Sequence, residues 1–205
     1  MAAPTRVILA SSSPARLATL RGAGLDPEVV VSGVDETADS AASVGELVST
    51  LARRKAEAVS ALHRSEDRPT VILGCDSLLE LDGTGYGKPG TAAEATRRWT
   101  RMSGRSGILH TGHHLILRRG TAVSTRTRTV STTVHFATLS PDEIDAYVAT
   151  GEPLVVAGAF TIDGLGGAFV PRIEGDHHNV VGVSLPALRT MLAELGVPWT
   201  SLWRT

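Results

Sequence analysis

Between Ser43 and Leu62 the sequence carries its clearest helical pattern, and one charged residue stands where an apolar one is due. Val44, Val48, Leu51, Val59 and Leu62 fall at steps of three, four and eight, the spacing of one helix face. Ser43 and Glu46 have capping-box spacing at its start. The eight-residue step skips one inward position, and that position is Lys55. Burying an ammonium is costly unless an anion pairs with it, so a carboxylate or a phosphate is expected nearby. The structural alternative is a lysine at the edge of the stripe, with its methylenes on apolar surface and its charge in water.

Short apolar runs surround this helix. Val7-Ile8-Leu9-Ala10 reads as a buried strand that feeds a serine-rich turn, and Pro14 suits the first position of a helix capped by Ser13 and ended by Gly22. Glu28 to Ser32 is a second strand candidate, running into the acidic turn Asp35-Glu36. Val71 to Leu79 reads as a buried strand interrupted by Asp76, an acid placed where open α/β sheets carry ligand groups, at the carboxyl end of a strand. The alternative for Asp76 is a cap on the following turn. Gly83 to Gly90 reads as a loop containing Lys88-Pro89, followed by a helix over Ala92 to Met102.

Leu115 to Phe136 alternates Thr, Ser, Val and Arg around Arg118-Arg119-Gly120, which fits a long half-exposed hairpin. Ser140-Pro141-Asp142-Glu143 is a capping box with Leu139 and Ile144 as its staple, opening a helix to about Thr150. A glycine-rich loop over Ala157 to Gly167, a strand over Ala168 to Ile173 and a closing helix over Ser184 to Leu195 complete the pattern. No repeat or linker divides the chain, so a single domain over residues 1–205 is expected.

With 205 residues, folding buries roughly 70% of the surface that the unfolded chain exposes, enough for a core without staples. Aromatic residues are 4% of the chain, so the core is expected to be aliphatic and alanine-rich. A formal charge of −1 excludes the global basic field that nonspecific nucleic-acid binding needs. The single cysteine, Cys75, follows an apolar run as a buried residue would, and favours a reducing, cytoplasmic compartment. The first residues lack the basic region and longer apolar stretch of a secretory signal, and no run is long enough for a membrane span.

Ser11-Ser12-Ser13-Pro14-Ala15-Arg16 places hydroxyls, free amides and a guanidinium at one helix N-terminus, a phosphate cradle by its chemistry. An Arg in the first turn opposes the helix dipole, which makes sense with an anion between them; the alternative is a serine-capped helix with a solvated Arg. His110, His113 and His114 fall on a strand or its turn, and no carboxylate or cysteine beside them in sequence completes a zinc set. His177-His178 reads as a loop pair.

Leu9 to Arg16, Asp35-Glu36, Lys55-Ala56, Asp76-Ser77, Gly87-Lys88-Pro89, Ser103-Gly104-Arg105, Thr111-Gly112, Gly151-Glu152-Pro153, Ala157 to Phe160 and Asn179-Val180-Val181-Gly182, in that order, resemble the Maf family over nearly the whole chain. The resemblance implies an elongated mixed α/β fold, a sheet flanked by helices in two lobes around a central cleft, similar to inosine-triphosphate pyrophosphatases. It implies hydrolysis of nucleoside triphosphates to nucleoside monophosphate and pyrophosphate in the cytoplasm, a divalent cation (Mg, Mn or Co), and a homodimer. It places the catalytic acid at Asp76, metal ligands at Glu36 and Asp76, and polyphosphate-binding groups at Ser11, Arg16, Lys55 and Lys88. Carboxylates suit a hard divalent ion and cations suit a departing pyrophosphate, so the chemistry agrees.

Three positions depart from the family pattern: Ala15 replaces an Arg, Ser77 replaces a Thr and Asp163 replaces a Gln, all associated with base choice. Gly107 stands where the family often has a histidine. A nucleotidyltransferase is the competing enzyme class, but its phosphate loop needs glycines where this chain has Ser11-Ser12-Ser13. A non-catalytic nucleotide sensor acting on cell division is the competing class of another kind, and retention of Glu36, Asp76, Lys55 and Lys88 argues against it.

Overall fold

The computed structural model describes residues 5–35, 43–63 and 68–204. The described residues form a mixed sheet of seven strands flanked by helices, in the order β2-β1-β3-β5-β6-β7 with β4 paired to β3. The strands are β1 (Arg6–Leu9), β2 (Glu28–Val29), β3 (Thr70–Leu81), β4 (Thr84–Tyr86), β5 (Ser106–Arg119), β6 (Ala122–His135) and β7 (Arg172–Glu174). The α-helices are α1 (Pro14–Gly22), α2 (Val44–Leu62), α3 (Ala92–Met102), α4 (Pro141–Ala149), α5 (His177–Val181) and α6 (Leu185–Glu194). Pairs β1/β2 and β1/β3 are parallel, whereas β3, β5, β6 and β7 pair antiparallel.

Helix starts follow the caps in the sequence: Ser13, Ser43, Ser140 and Ser184 each accept a backbone N–H of the first turn, and Ser140 with Glu143 closes the full box. Strand bounds depart further. Asp76 neither interrupts nor ends its strand, because β3 stays paired to β5 through and beyond it, with Asp76 opposite Gly112. It does stand past the end of the parallel β1/β3 pairing, which stops at Leu9 and Leu73. Extension of β5 back to Ser106 puts the hairpin's start nine positions before the expected Leu115. The expected strand over Glu28–Ser32 shrinks to β2, and that over Ala168–Ile173 shortens and shifts to β7, since only those residues find ladder partners, and Ala168 and Phe169 enter a 3₁₀ turn instead. His177 and His178 open α5, capped by Asp176, rather than lying in a loop.

Successive side chains of β3 and β5 point to opposite faces, and the two faces are built differently. One face receives α2, with Ile8, Ala10, Ala56, Val59, Ile72 and Ile116 packed together. The other carries two apolar clusters along the long strands. One joins Leu73, Cys75, Leu115 and Leu117 to α1 and α6 through Leu20, Leu188, Met191 and Leu192. The second joins Leu79, Leu81 and Leu109 to α3 and α4 through Trp99, Ile144 and Tyr147. This second core is not aliphatic, since the few aromatics gather there: Trp99 meets Phe136, Tyr147 and Phe169 edge-on at centroid distances of 5.5–5.8 Å. Between the clusters the same face turns polar, with Ser77 opposite Thr111. Arg16 reaches this polar stretch through Ser77, while Lys55 and Asp76 meet at the same level of β3 on the α2 face.

Candidate active site

Ser11 follows β1, and its hydroxyl accepts the Ser13 N–H at 3.2 Å, which shapes the turn into α1. One helical turn later Arg16 is folded inward and is only 8% exposed. Its Nε donates to the Gly182 carbonyl at 2.8 Å, Nη1 to Ser11 Oγ at 3.0 Å and to the Cys75 carbonyl at 3.1 Å, and Nη2 to Ser77 Oγ at 2.9 Å. Arg16 is therefore not a solvated first-turn residue. Its four acceptors are neutral oxygens, so they fix the planar guanidinium without cancelling its charge.

On the other face of β3, Asp76 receives Lys55 from α2, with Nζ and Oδ1 2.5 Å apart. Both side chains are buried, at 8% and 6% exposure for the two residues. The anion that the helical stripe demanded is thus a carboxylate on the central strand. The pair depends on how closely α2 approaches the sheet, and two glycines set that approach. A Cβ at Gly74 would lie 2.1 Å from the Ala52 carbonyl oxygen, and one at Gly112 would lie 2.2 Å from that of Val48. Glycine inside a strand often marks such a close backbone approach.

Ser11, Arg16, Ser77, Asp76 and Lys55 converge at β3. Lys88 is exposed on the loop after β4 and is not among the residues that meet at β3; that loop is pinned because the Gly87 carbonyl accepts Arg98 Nη1 at 2.5 Å and the Gly158 N–H at 3.1 Å. Ala15 is half-buried on α1, whereas Asp163 is exposed far along the chain. Glu36 lies outside the described residues.

Cys75 is buried beside Asp76, and burial pushes its thiol up to about 11. His113 is also buried; burial first, then the Arg16 charge, lowers it to about 4, and its Nε2 accepts the Ser184 N–H at 2.9 Å. Burial likewise lowers His114. A carboxylate reaches one histidine across the sheet rather than along the chain: Glu80 meets His110 Nε2 at 2.8 Å. Among the described residues no three His, Cys, Asp or Glu side chains could together hold a metal ion. Ions of the magnesium type are often held by one or two carboxylates together with substrate phosphates, a mode to which the Asp76 carboxylate is suited.

Sequence reading gave no role to Thr111, Asn179 or Gly182, although all three lie in the motifs it quoted. Thr111 Oγ1 bonds Ser77 Oγ at 2.9 Å and donates to the Asn179 carbonyl at 3.0 Å. Glu152, also in a quoted motif, serves the second lobe: its carboxylate accepts Tyr147 Oη, Thr161 Oγ1 and the N–H groups of Leu165 and Gly166.

A mixed sheet with a buried ion pair on one face of β3 and a clasped guanidinium on the other defines a small α/β protein with charged groups held inside it. The chain matches the family model described as Maf-like protein over residues 6–195, and it belongs to that family. It is 58% identical to a nucleoside triphosphate pyrophosphatase of Salinispora tropica, over 98% of this chain and 88% of that one. It is 52% identical to the protein of the same name in Streptomyces avermitilis, over 97% and 94% of the two chains. A HAM1 protein structure from Coxiella burnetii aligns with TM-score 0.44 at 17% identity over 93% of this chain and 99% of that one, a likeness too slight to add to the assignment.

Proposed function

We propose that this chain is a nucleoside triphosphate pyrophosphatase, hydrolysing the anhydride between the α and β phosphates to a nucleoside monophosphate and pyrophosphate. The observation that carries the reading is the buried Lys55–Asp76 pair at 2.5 Å, in a family member whose close relatives bear that enzyme's name. A carboxylate aimed by an ammonium is a group that can orient and deprotonate water. In this reading water forms a new bond to the α phosphorus as the bond to the bridging oxygen breaks. The water proton passes to an Asp76 oxygen, and the bridging oxygen leaves with its electron pair on pyrophosphate.

Lys55, Arg16, Lys88 and Ser11 hold the polyphosphate, and the cations neutralise the charge that grows on the leaving group. Asp76 and Glu36 would hold a divalent cation (Mg, Mn or Co), which supplies Lewis-acid polarisation of the phosphoryl oxygens when bound. Ala15, Ser77 and Asp163 are the candidates for base selection. Removal of non-standard nucleotides in the cytoplasm by a homodimer is the setting we assign, with arrest of cell division as a linked role.

The test is a panel of common and modified nucleoside triphosphates with magnesium, manganese or cobalt, separating pyrophosphate from orthophosphate. Pyrophosphate with nucleoside monophosphate is expected. Orthophosphate with nucleoside diphosphate as the only products would refute the cleavage position, and binding without turnover would favour a sensor.

A further inference from the structure

Arg16 is held by a hydrogen-bond chain whose direction is fixed at its far end. The Asn179 carbonyl can only accept, so the single hydroxyl proton of Thr111 is committed to it at 3.0 Å. The Thr111–Ser77 contact of 2.9 Å must then use the Ser77 proton. This leaves a Ser77 lone pair facing outward, and Arg16 Nη2 donates to it at 2.9 Å. Asn179 is itself locked, because its Nδ2 donates to the Leu109 carbonyl at 3.2 Å and to Thr132 Oγ1 at 3.1 Å. Thr111, Thr132 and Asn179 are all fully buried, so water does not compete for these bonds. Three residues after Asn179, Gly182 accepts Arg16 Nε at 2.8 Å, and its φ of 120° together with a Cβ position 3.1 Å from that Nε reserves the place for glycine.

From this geometry we infer that Thr111 and Asn179 are positioning residues for the polyphosphate-binding Arg16, acting through Ser77, and that α5 with Gly182 is a clasp on the guanidinium. The inference rests on the reading of Arg16 as a substrate-binding group. It also gives Ser77 a part other than direct contact with a base: it is the acceptor that aims Arg16. The effect belongs on substrate binding more than on the chemical step, since the chain ends on a cation that binds polyphosphate and not on Asp76.

Three variants of the full chain test this: Thr111→Val, which keeps the shape and deletes the hydroxyl; Thr111→Ser, which restores it; and Ser77→Ala, which removes the acceptor even if Thr111→Val fails to fold. Two readouts are taken beside the melting temperature. One is the split between KM and kcat for pyrophosphate release. The other is the ¹⁵N-resolved Nε–H resonance of Arg16 and its exchange with water.

Ser77→Ala is expected to raise KM roughly tenfold, as loss of one bond to a charged group implies, and Thr111→Val about fivefold, as loss of one neutral bond implies, each with kcat within about twofold. Both should shift the Arg16 resonance and speed its exchange, and Thr111→Ser should return both readouts toward the parent protein. A lower melting temperature with unchanged KM and an unchanged Arg16 resonance would overturn the inference. If the parent protein turned over no nucleotide, the proposed activity would fall, whereas the resonance would still decide whether Thr111 aims Arg16.

Discussion

Gly112→Ala tests the packing that brings Lys55 to Asp76. The added Cβ would meet the Val48 carbonyl oxygen at 2.2 Å and the Ser49 nitrogen at 2.7 Å, where ordinary contact begins at 3.4 Å. Both obstacles are backbone, so no rotamer change relieves them and α2 must withdraw by about 1.2 Å. Carried to Lys55 on the same helix, that shift stretches the 2.5 Å contact with Asp76 to about 3.7 Å, beyond hydrogen-bond length. Overpacking of this kind costs about 1–3 kcal/mol, and an ångström of misplacement at a reacting group costs on the order of a hundredfold in rate. Urea unfolding gives the first quantity, and pyrophosphate release by the folded protein gives the second. Gly22→Ala is the control, because a Cβ there meets nothing within 4 Å. Gly112→Ala with stability within about 0.5 kcal/mol of the parent and an undiminished rate would refute the claim that the glycines set the helix-to-sheet distance.

Two further outcomes follow from the buried groups of β3 and β5. Cys75, buried and held near 11, should resist iodoacetamide at neutral pH and react only when the protein unfolds; rapid labelling of the native protein would show that the strand opens there. His113 falls from its ordinary 6.5 to about 4 on folding, so between those values the unfolded chain binds the extra proton. Its contribution to stability is therefore complete above pH 6.5, declines as the pH falls toward 4 and levels off below it. His113→Gln should flatten that part of the stability profile, and an NMR titration placing the native imidazole near 6.5 would contradict the account.

Helix positions were legible because caps are local: Ser13 with Pro14, Ser43 and Ser140 mark their helix starts within a few residues of sequence. Strand lengths were not, since β2 ends opposite the end of β1 and β7 begins opposite the end of β6, and a partner's reach is not encoded in the strand's own residues. Lys55 was legible for the opposite reason. A charge on a buried face announces a partner, and Asp76 supplies it. The clasp on Arg16 left less of a trace, because two of its acceptors are the carbonyls of Cys75 and Gly182, which every residue type carries. Thr111 and Asn179 could be quoted as motif members, but their contact joins positions 68 apart and needs the sheet to bring it about. The Gly112 signal was available, as a glycine in a strand hints at close backbone approach, yet only the structure shows that α2 is what approaches.

The proposed catalytic role of Asp76 is tested most directly by Asp76→Asn, assayed for pyrophosphate release and thermal stability on one preparation. The amide is nearly isosteric with the carboxylate but can neither take the water's proton nor ligate a divalent ion well. It also takes the Asp76 charge away from the buried Lys55 ammonium, so some loss of stability accompanies the change. A folded protein that still binds nucleoside triphosphate and releases no pyrophosphate above background is expected. A folded variant with a lowered melting temperature and near-normal turnover would contradict it, reducing Asp76 to a structural partner of Lys55 and moving the catalytic centre elsewhere.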